Sequence, residues 1–177
     1  MKFKFKEALA LYKNGQLNRA KEICLEILKE EPSNFDGLRL LSIIFFINKN
    51  YLKALELIND AIKADPNQAS AYIDQGVILQ KIKKPEEALK SYEEALNIKP
   101  NSAQVYNNRA YLFFELNKFD DAIESFNKAI ELKPDFADAH CNLGNTFLKL
   151  NRLEEALLSY DNVIKINPMH IHAYNNR

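Results

Sequence analysis

The chain has 177 residues, of which 47% are hydrophobic and 27% are charged, and its 24 basic residues balance its 24 acidic residues. This composition indicates a folded domain rather than a disordered tail. Because no net charge is left to attract phosphate backbones, we expect no nucleic acid partner. The longest apolar stretch, residues 38–47, is interrupted by Arg39 and Ser42 and is too short to cross a bilayer, so we expect no membrane insertion.

The cysteines and the first residues bear on the compartment. Only Cys24 and Cys141 are present, which is too few for a disulfide framework and is compatible with a reducing environment. The first fifteen residues contain lysines but no uninterrupted apolar core or cleavage site of a signal peptide. We therefore expect a cytoplasmic location.

Five of the six prolines recur along the chain at an interval of 34 residues. Alanine recurs at the same interval, and so do the larger residues that follow each alanine by four positions. This self-similarity predicts a stack of equivalent units, each burying its apolar face against its neighbours. The recurring residues are Pro32, Pro66, Pro100, Pro134 and Pro168; Ala20, Ala54, Ala88, Ala122 and Ala156; and Cys24, Ile58, Tyr92, Phe126 and Tyr160.

In each unit, two segments carry apolar residues every three or four positions, which predicts a pair of amphipathic helices. The recurring proline ends the second helix of each pair, and Pro85 lies at the expected first turn of another second helix. Gly15, Asn117 and Asn151 lie between paired helices, where a left-handed backbone is commonly needed. In chain order the units span about 1–34, 35–68, 69–102, 103–136 and 137–170, followed by a truncated sixth unit, 171–177.

Helix pairs with this length and these motif residues resemble the tetratricopeptide repeat, and the resemblance extends over the whole chain. It implies an all-α fold, namely a right-handed superhelical solenoid of antiparallel helix pairs in which residues 1–177 form a single array. The motif residues are Tyr72, Gly76, Leu79, Ala88, Tyr92, Ala95 and Pro100.

In the tetratricopeptide family, the first helix of each pair lines a concave groove that binds proteins or extended peptides. Projecting that geometry onto this chain predicts a groove that is apolar toward the N-terminus and rich in side-chain amides toward the C-terminus. The predicted peptide-binding residues are Arg39, Ile43, Phe46, Ile73 and Val77 in the apolar half, and Asn107, Asn108, Tyr111, Asn142, Asn145 and Asn176 in the amide-rich half.

Three of these asparagines, Asn108, Asn142 and Asn176, recur at the same 34-residue interval. Their arrangement resembles the asparagine ladder in the repeat superhelix of O-linked N-acetylglucosamine transferases, which implies amides that hold the backbone of a bound peptide. An amide both donates and accepts hydrogen bonds, so such a ladder would tolerate many peptide sequences. The alternative is that these asparagines cap or bridge neighbouring helices without any ligand.

Catalytic chemistry is not indicated. His140 and Cys141 are adjacent on a predicted helix and therefore point about 100° apart, so they do not converge on a metal by themselves. We interpret His140 as a substitute for the aromatic residue that packs at this position in other units. No nucleophile motif or phosphate-binding loop is present, so we expect no catalytic residue, metal or cofactor and no enzyme activity from this chain.

The leading interpretation is a protein–protein interaction module that binds an extended peptide or protein segment in its concave groove. One alternative is the substrate-recruiting N-terminal part of a larger glycosyltransferase or sulfotransferase, because the first two units resemble the beginning of such bacterial proteins. Another is a self-assembling scaffold. Since the sixth unit lacks its second helix, we expect the chain to be a fragment whose uncapped C-terminal end could support self-association.

Overall fold

The computed structural model describes residues 2–177, which form eleven α-helices and no strand. The predicted all-α fold of helix pairs is therefore confirmed. Of the helices described, none is both long enough and apolar enough to cross a membrane. The helices are α1 (Lys2–Lys13), α2 (Leu17–Glu30), α3 (Phe35–Ile47), α4 (Tyr51–Ala64), α5 (Ala69–Lys81), α6 (Pro85–Ile98), α7 (Ala103–Glu115), α8 (Phe119–Leu132), α9 (Ala137–Lys149), α10 (Leu153–Ile166) and α11 (Ile171–Asn176).

The helices group into two compact units, Met1–Ile98 and Lys99–Arg177, which we call unit 1 and unit 2. Unit 1 contains α1 to α6, and unit 2 contains α7 to α11. Each odd-numbered helix from α1 to α9 packs against the helix that follows it. Successive odd-numbered helices also contact each other, namely α1 with α3 and α3 with α5 in unit 1, and α7 with α9 in unit 2. We refer to the surface that the odd-numbered helices present within a unit as its first-helix face.

The turn inside each helix pair contains one residue with a left-handed backbone, and these residues are 34 positions apart. The prediction for Gly15, Asn117 and Asn151 is confirmed, with φ angles of 74°, 58° and 58°. Lys49 and Lys83 occupy the equivalent positions with φ angles of 60° and 63°, which sequence composition did not indicate. A lysine adopts this conformation at a cost, so the repeat geometry itself imposes it.

The core of each helix pair includes a small buried residue at one repeat position of the first helix and a larger buried residue at one repeat position of the second. A β-carbon added to Gly76 would lie 2.5 Å from the ring of Tyr92, and one added to Gly144 would lie 2.8 Å from the ring of Tyr160. Both rings are fully buried. The equivalent positions of the other three pairs hold Ala8 and Cys24, Ser42 and Ile58, and Ala110 and Phe126, all of which are fully buried.

This packing predicts that Gly76→Ala destabilises the protein. The added methyl overlaps a ring that cannot move out of the core, and overpacking of this kind costs about 1–3 kcal/mol, more than the roughly 0.5–1 kcal/mol that alanine contributes in a helix. Urea unfolding followed by circular dichroism measures the loss. Lys90→Ala, on the exposed side of α6, is the control and should change stability by less than about 0.5 kcal/mol. Wild-type stability in Gly76→Ala would refute the size constraint.

Candidate functional site

Unit 1 has an apolar recess on its first-helix face. Three successive first helices, α1, α3 and α5, contribute its walls, and its volume is about 320 Å3. Of the residues predicted from the sequence, Ile43, Phe46 and Val77 line the recess, whereas Ile73 is partly buried outside it. The complete lining is Tyr12, Ile43, Phe46, Ile47, Asp74, Val77 and Ile78.

An ion pair connects α3 to α5 beside this recess. Nε of Arg39 donates a hydrogen bond of 2.7 Å to Oδ2 of Asp74, and the two side chains are 33% and 22% exposed. Burial raises the pKa of Asp74 above its ordinary value, and the charge and hydrogen bond of Arg39 offset part of that rise. Arg39 was predicted as a site residue, but Asp74, which faces the recess, was not.

Unit 2 has a recess of different chemistry, formed on its first-helix face by α7, α9 and α11 and by the turn before α11. We call it the amide recess, and its volume is about 400 Å3. The structure brings four of the predicted asparagines together here. The lining consists of Asn107, Asp138, Cys141, Asn142, Asn145, His170, His172 and Asn176.

Hydrogen bonds between side chains orient these amides. Nδ2 of Asn142 donates a hydrogen bond of 3.4 Å to Oδ1 of Asn107, which is a buried residue. Oδ1 of Asn145 accepts from the hydroxyl of Tyr160 at 2.7 Å and from Nδ2 of Asn176 at 3.2 Å. Burial raises the pKa of Tyr160 above its ordinary value, and a hydrogen bond with Asn176 offsets part of that rise. The core of the α9–α10 pair therefore fixes the orientation of Asn145.

Two predicted residues of the amide-rich half lie apart from the amide recess. Asn108 does not line it, and its Oδ1 accepts a hydrogen bond of 2.8 Å from Nε2 of Gln104 on the same helix. Tyr111 is 40% exposed and stacks on Phe114, with ring centroids 6.2 Å apart. The structure therefore groups Asn142 and Asn176 with Asn107 rather than with Asn108.

The spacing of the cross-helix bonds explains this grouping. Arg39 and Asp74 are 35 residues apart, and so are Asn107 and Asn142. These two bonds are thus displaced by one position from the 34-residue repeat, whereas the bond between Asn176 and Asn145 spans 31 residues. A search for polar pairs 35 residues apart would have found Asp74, which the repeat interval alone did not reveal.

The amide recess also contains the thiol of Cys141 and the imidazoles of His170 and His172. Burial, and to a smaller extent Asp138, raises the pKa of Cys141 above its ordinary value, so its thiol is a poor nucleophile. Nδ1 of His170 accepts a hydrogen bond of 3.1 Å from the backbone N–H of Ala173. Within residues 2–177, no three histidine, cysteine or acidic side chains are placed to hold a metal ion.

The other cysteine and histidine that the sequence drew attention to have structural roles. Cys24 is fully buried, which raises its pKa to about 11, and neither it nor Cys141 forms a disulfide. His140 is also buried, and its Nε2 lies 3.0 Å from the carbonyl oxygen of Pro134. The interpretation of His140 as a packing residue is confirmed.

Models of the tetratricopeptide repeat match nearly the whole described chain. Matches described as "TPR repeat" cover residues 83–117 and 110–151, and matches described as "Tetratricopeptide repeat" cover residues 5–69 and 137–170. The chain belongs to the tetratricopeptide repeat family. Its fold is accordingly that of a protein–protein interaction module. Among curated proteins, no sequence matches it.

Solved structures share this tetratricopeptide fold. YrrB, described as a TPR protein with an unusual peptide-binding site, is 23% identical, with a TM-score of 0.74 over 97% of this chain and 89% of its own. TTC0263, a protein of Thermus thermophilus, is 22% identical, with a TM-score of 0.81 over 98% and 95% of the two chains. PilF of Pseudomonas aeruginosa is 20% identical, with a TM-score of 0.84 over 99% and 87%. At these identities the likeness concerns the fold.

The hydroxyl of Tyr160 gives a test of how the tetratricopeptide core orients the amide recess. Tyr160→Phe removes the 2.7 Å bond to Asn145, which should cost about 0.5–1.5 kcal/mol of stability and shift the side-chain amide resonances of Asn145 and Asn176 in an NMR spectrum. Tyr92→Phe is the matched control, because Tyr92 occupies the same repeat position in unit 1 and bonds to Gln80. Unchanged Asn145 resonances in Tyr160→Phe would contradict the orienting role.

Proposed function

We propose that this tetratricopeptide chain binds an extended segment of a partner protein on its first-helix faces. The observation that carries the proposal is the convergence of Asn107, Asn142, Asn145 and Asn176 in the amide recess. These four side chains also bridge neighbouring first helices, since Asn142 bonds to Asn107 and Asn176 bonds to Asn145, and they do so while lining the recess.

The chemistry of the amide recess suits a peptide backbone. In the described part of the chain, Asn142 uses its Nδ2 in a hydrogen bond and its Oδ1 does not take part in one, while Asn107 uses its Oδ1 and not its Nδ2. Oδ1 of Asn142 thus remains as an acceptor atom and Nδ2 of Asn107 as a donor atom on neighbouring side chains. An extended backbone presents N–H and C=O groups that can pair with both, whatever the side chains of the peptide are.

Two further observations support a binding role. YrrB, which has this fold, is described as having a peptide-binding site. The tetratricopeptide fold is also generally non-catalytic, so we propose that the chain acts by binding and has no enzyme activity of its own. The two unpaired cysteines support a cytoplasmic location as part of this proposal.

Peptide selection tests the proposal. Peptides taken from a phage-displayed library of random 12-residue sequences should bind the wild-type protein, and Asn142→Ala should weaken that binding. Losing about one net hydrogen bond of 0.5–1.5 kcal/mol corresponds to a loss of affinity of about two- to twelvefold, which isothermal titration calorimetry resolves.

Asn127→Ala is the matched control, because Asn127 is an exposed asparagine on α8, a second helix. It should leave the affinity unchanged, and thermal melts should show that both variants are folded. If no peptide is selected, or if Asn142→Ala binds as tightly as Asn127→Ala, the proposed use of the amide recess is wrong.

A further inference from the structure

Helix α3 carries more apolar surface than the packing of unit 1 uses. Leu40, Leu41 and Ile44 of this helix are buried in the core. Phe46 is only partly buried, and Ile47 is 44% exposed. Burial is what makes an apolar side chain stabilising, so the exposed part of Ile47 does not contribute to the fold.

The repeat itself does not require an apolar residue at the position of Ile47. Successive 34-residue steps from Ile47 lead to charged residues in all four of the other complete 34-residue repeats. A charged side chain is therefore compatible with the fold at this position. Isoleucine occurs there in only one of the five complete 34-residue repeats. The equivalent residues are Lys13, Lys81, Glu115 and Lys149.

Ile47 is one wall of the apolar recess of unit 1. Tyr12, Phe46 and Val77 form other walls, and Ile78, which is almost completely buried, lies at its base. The recess volume of about 320 Å3 is at the lower end of the range for ligand pockets, about 300–1,000 Å3. That space suits one bulky side chain better than a whole helix, whose diameter is about 10–12 Å.

The charge of the recess favours an uncharged occupant. Among the described residues that line it, Asp74 alone carries a formal charge at pH 7, and Arg39 neutralises that charge through the 2.7 Å ion pair. A cationic or anionic side chain would lose hydration in the recess and would have to compete with this pair for a counter-charge. An aliphatic or aromatic side chain meets neither cost.

We propose that the apolar recess of unit 1 selects a bulky, uncharged side chain of the leucine, methionine or phenylalanine class on the partner segment. This inference rests on the proposed function and specifies it, because it names the chemistry that distinguishes one partner from another. Ile47 is the residue that adapts a general repeat position to that selection.

The test replaces Ile47 by lysine, the residue that three of the other 34-residue repeats carry at this position. Peptides selected by the wild-type protein should share one large apolar residue, and its replacement by alanine should weaken binding by about ten- to a hundredfold. Ile47→Lys should weaken the same peptides to a similar extent without lowering the melting temperature, because the repeat accepts lysine there. With the alanine-substituted peptide, Ile47→Lys should cause little additional loss.

Two control variants accompany Ile47→Lys. Ile47→Val keeps the recess apolar and should retain binding, and Lys81→Ala changes the equivalent position of α5 outside the recess and should also retain it.

Each other outcome has a definite meaning. If Ile47→Lys binds the selected peptides as tightly as the wild type while Asn142→Ala weakens them, the apolar selection is wrong and the proposed function stands. If no peptide is selected, both are wrong. If ultracentrifugation shows a wild-type dimer that Ile47→Lys converts to a monomer, a second copy covers the recess and the inference is wrong.

Discussion

The contact between a small residue on the first helix of a pair and a larger residue on the second is the constraint on which this structure depends. Gly76 lies against Tyr92 and Gly144 against Tyr160, and neither glycine can take a β-carbon without displacing a buried ring. Because protein interiors are close-packed, the size of one member restricts the size of the other. Repeating this contact every 34 residues gives each helix pair the same packing, although the identities of the small and the large residue differ from pair to pair.

The packing of the pairs leaves part of the first-helix face of each unit available for other uses. In unit 1 that face presents Ile43, Phe46 and Ile47, and in unit 2 it presents Asn142 and Asn145. The same helical frame therefore displays an apolar surface in one unit and a polar one in the other. Differences of this kind alter what a unit can bind without altering how it folds.

The sequence predicted the fold more completely than the site. The 34-residue period established the helix pairs, and the turn residues Gly15, Asn117 and Asn151 were evident because glycine and asparagine favour the left-handed conformation. Lys49 and Lys83 adopt it with φ angles of about 60° although lysine does not favour it. Their conformation follows from tertiary packing, which local sequence preferences do not contain.

Side-chain pairing was less predictable, because adjacent residues on a helix differ in direction by about 100°. The period favoured Asn108 as the companion of Asn142, yet Asn142 bonds to Asn107, one position away. The bond between Arg39 and Asp74 has the same 35-residue offset. The bond from Asn176 to Asn145 spans 31 residues instead, so the pairing depends on how neighbouring first helices lie against each other, whereas a repeat interval records only which positions are equivalent.

On the proposed function, the first-helix faces bind a partner and the exposed sides of the second helices do not. The most direct measurement is a two-dimensional NMR titration of isotope-labelled protein with one selected peptide. We expect the largest shifts at first-helix residues that line a recess, such as Val77 in unit 1 or Asn142 and Asn145 in unit 2. Shifts concentrated on exposed positions of the second helices, such as Lys90 and Glu124, would contradict it.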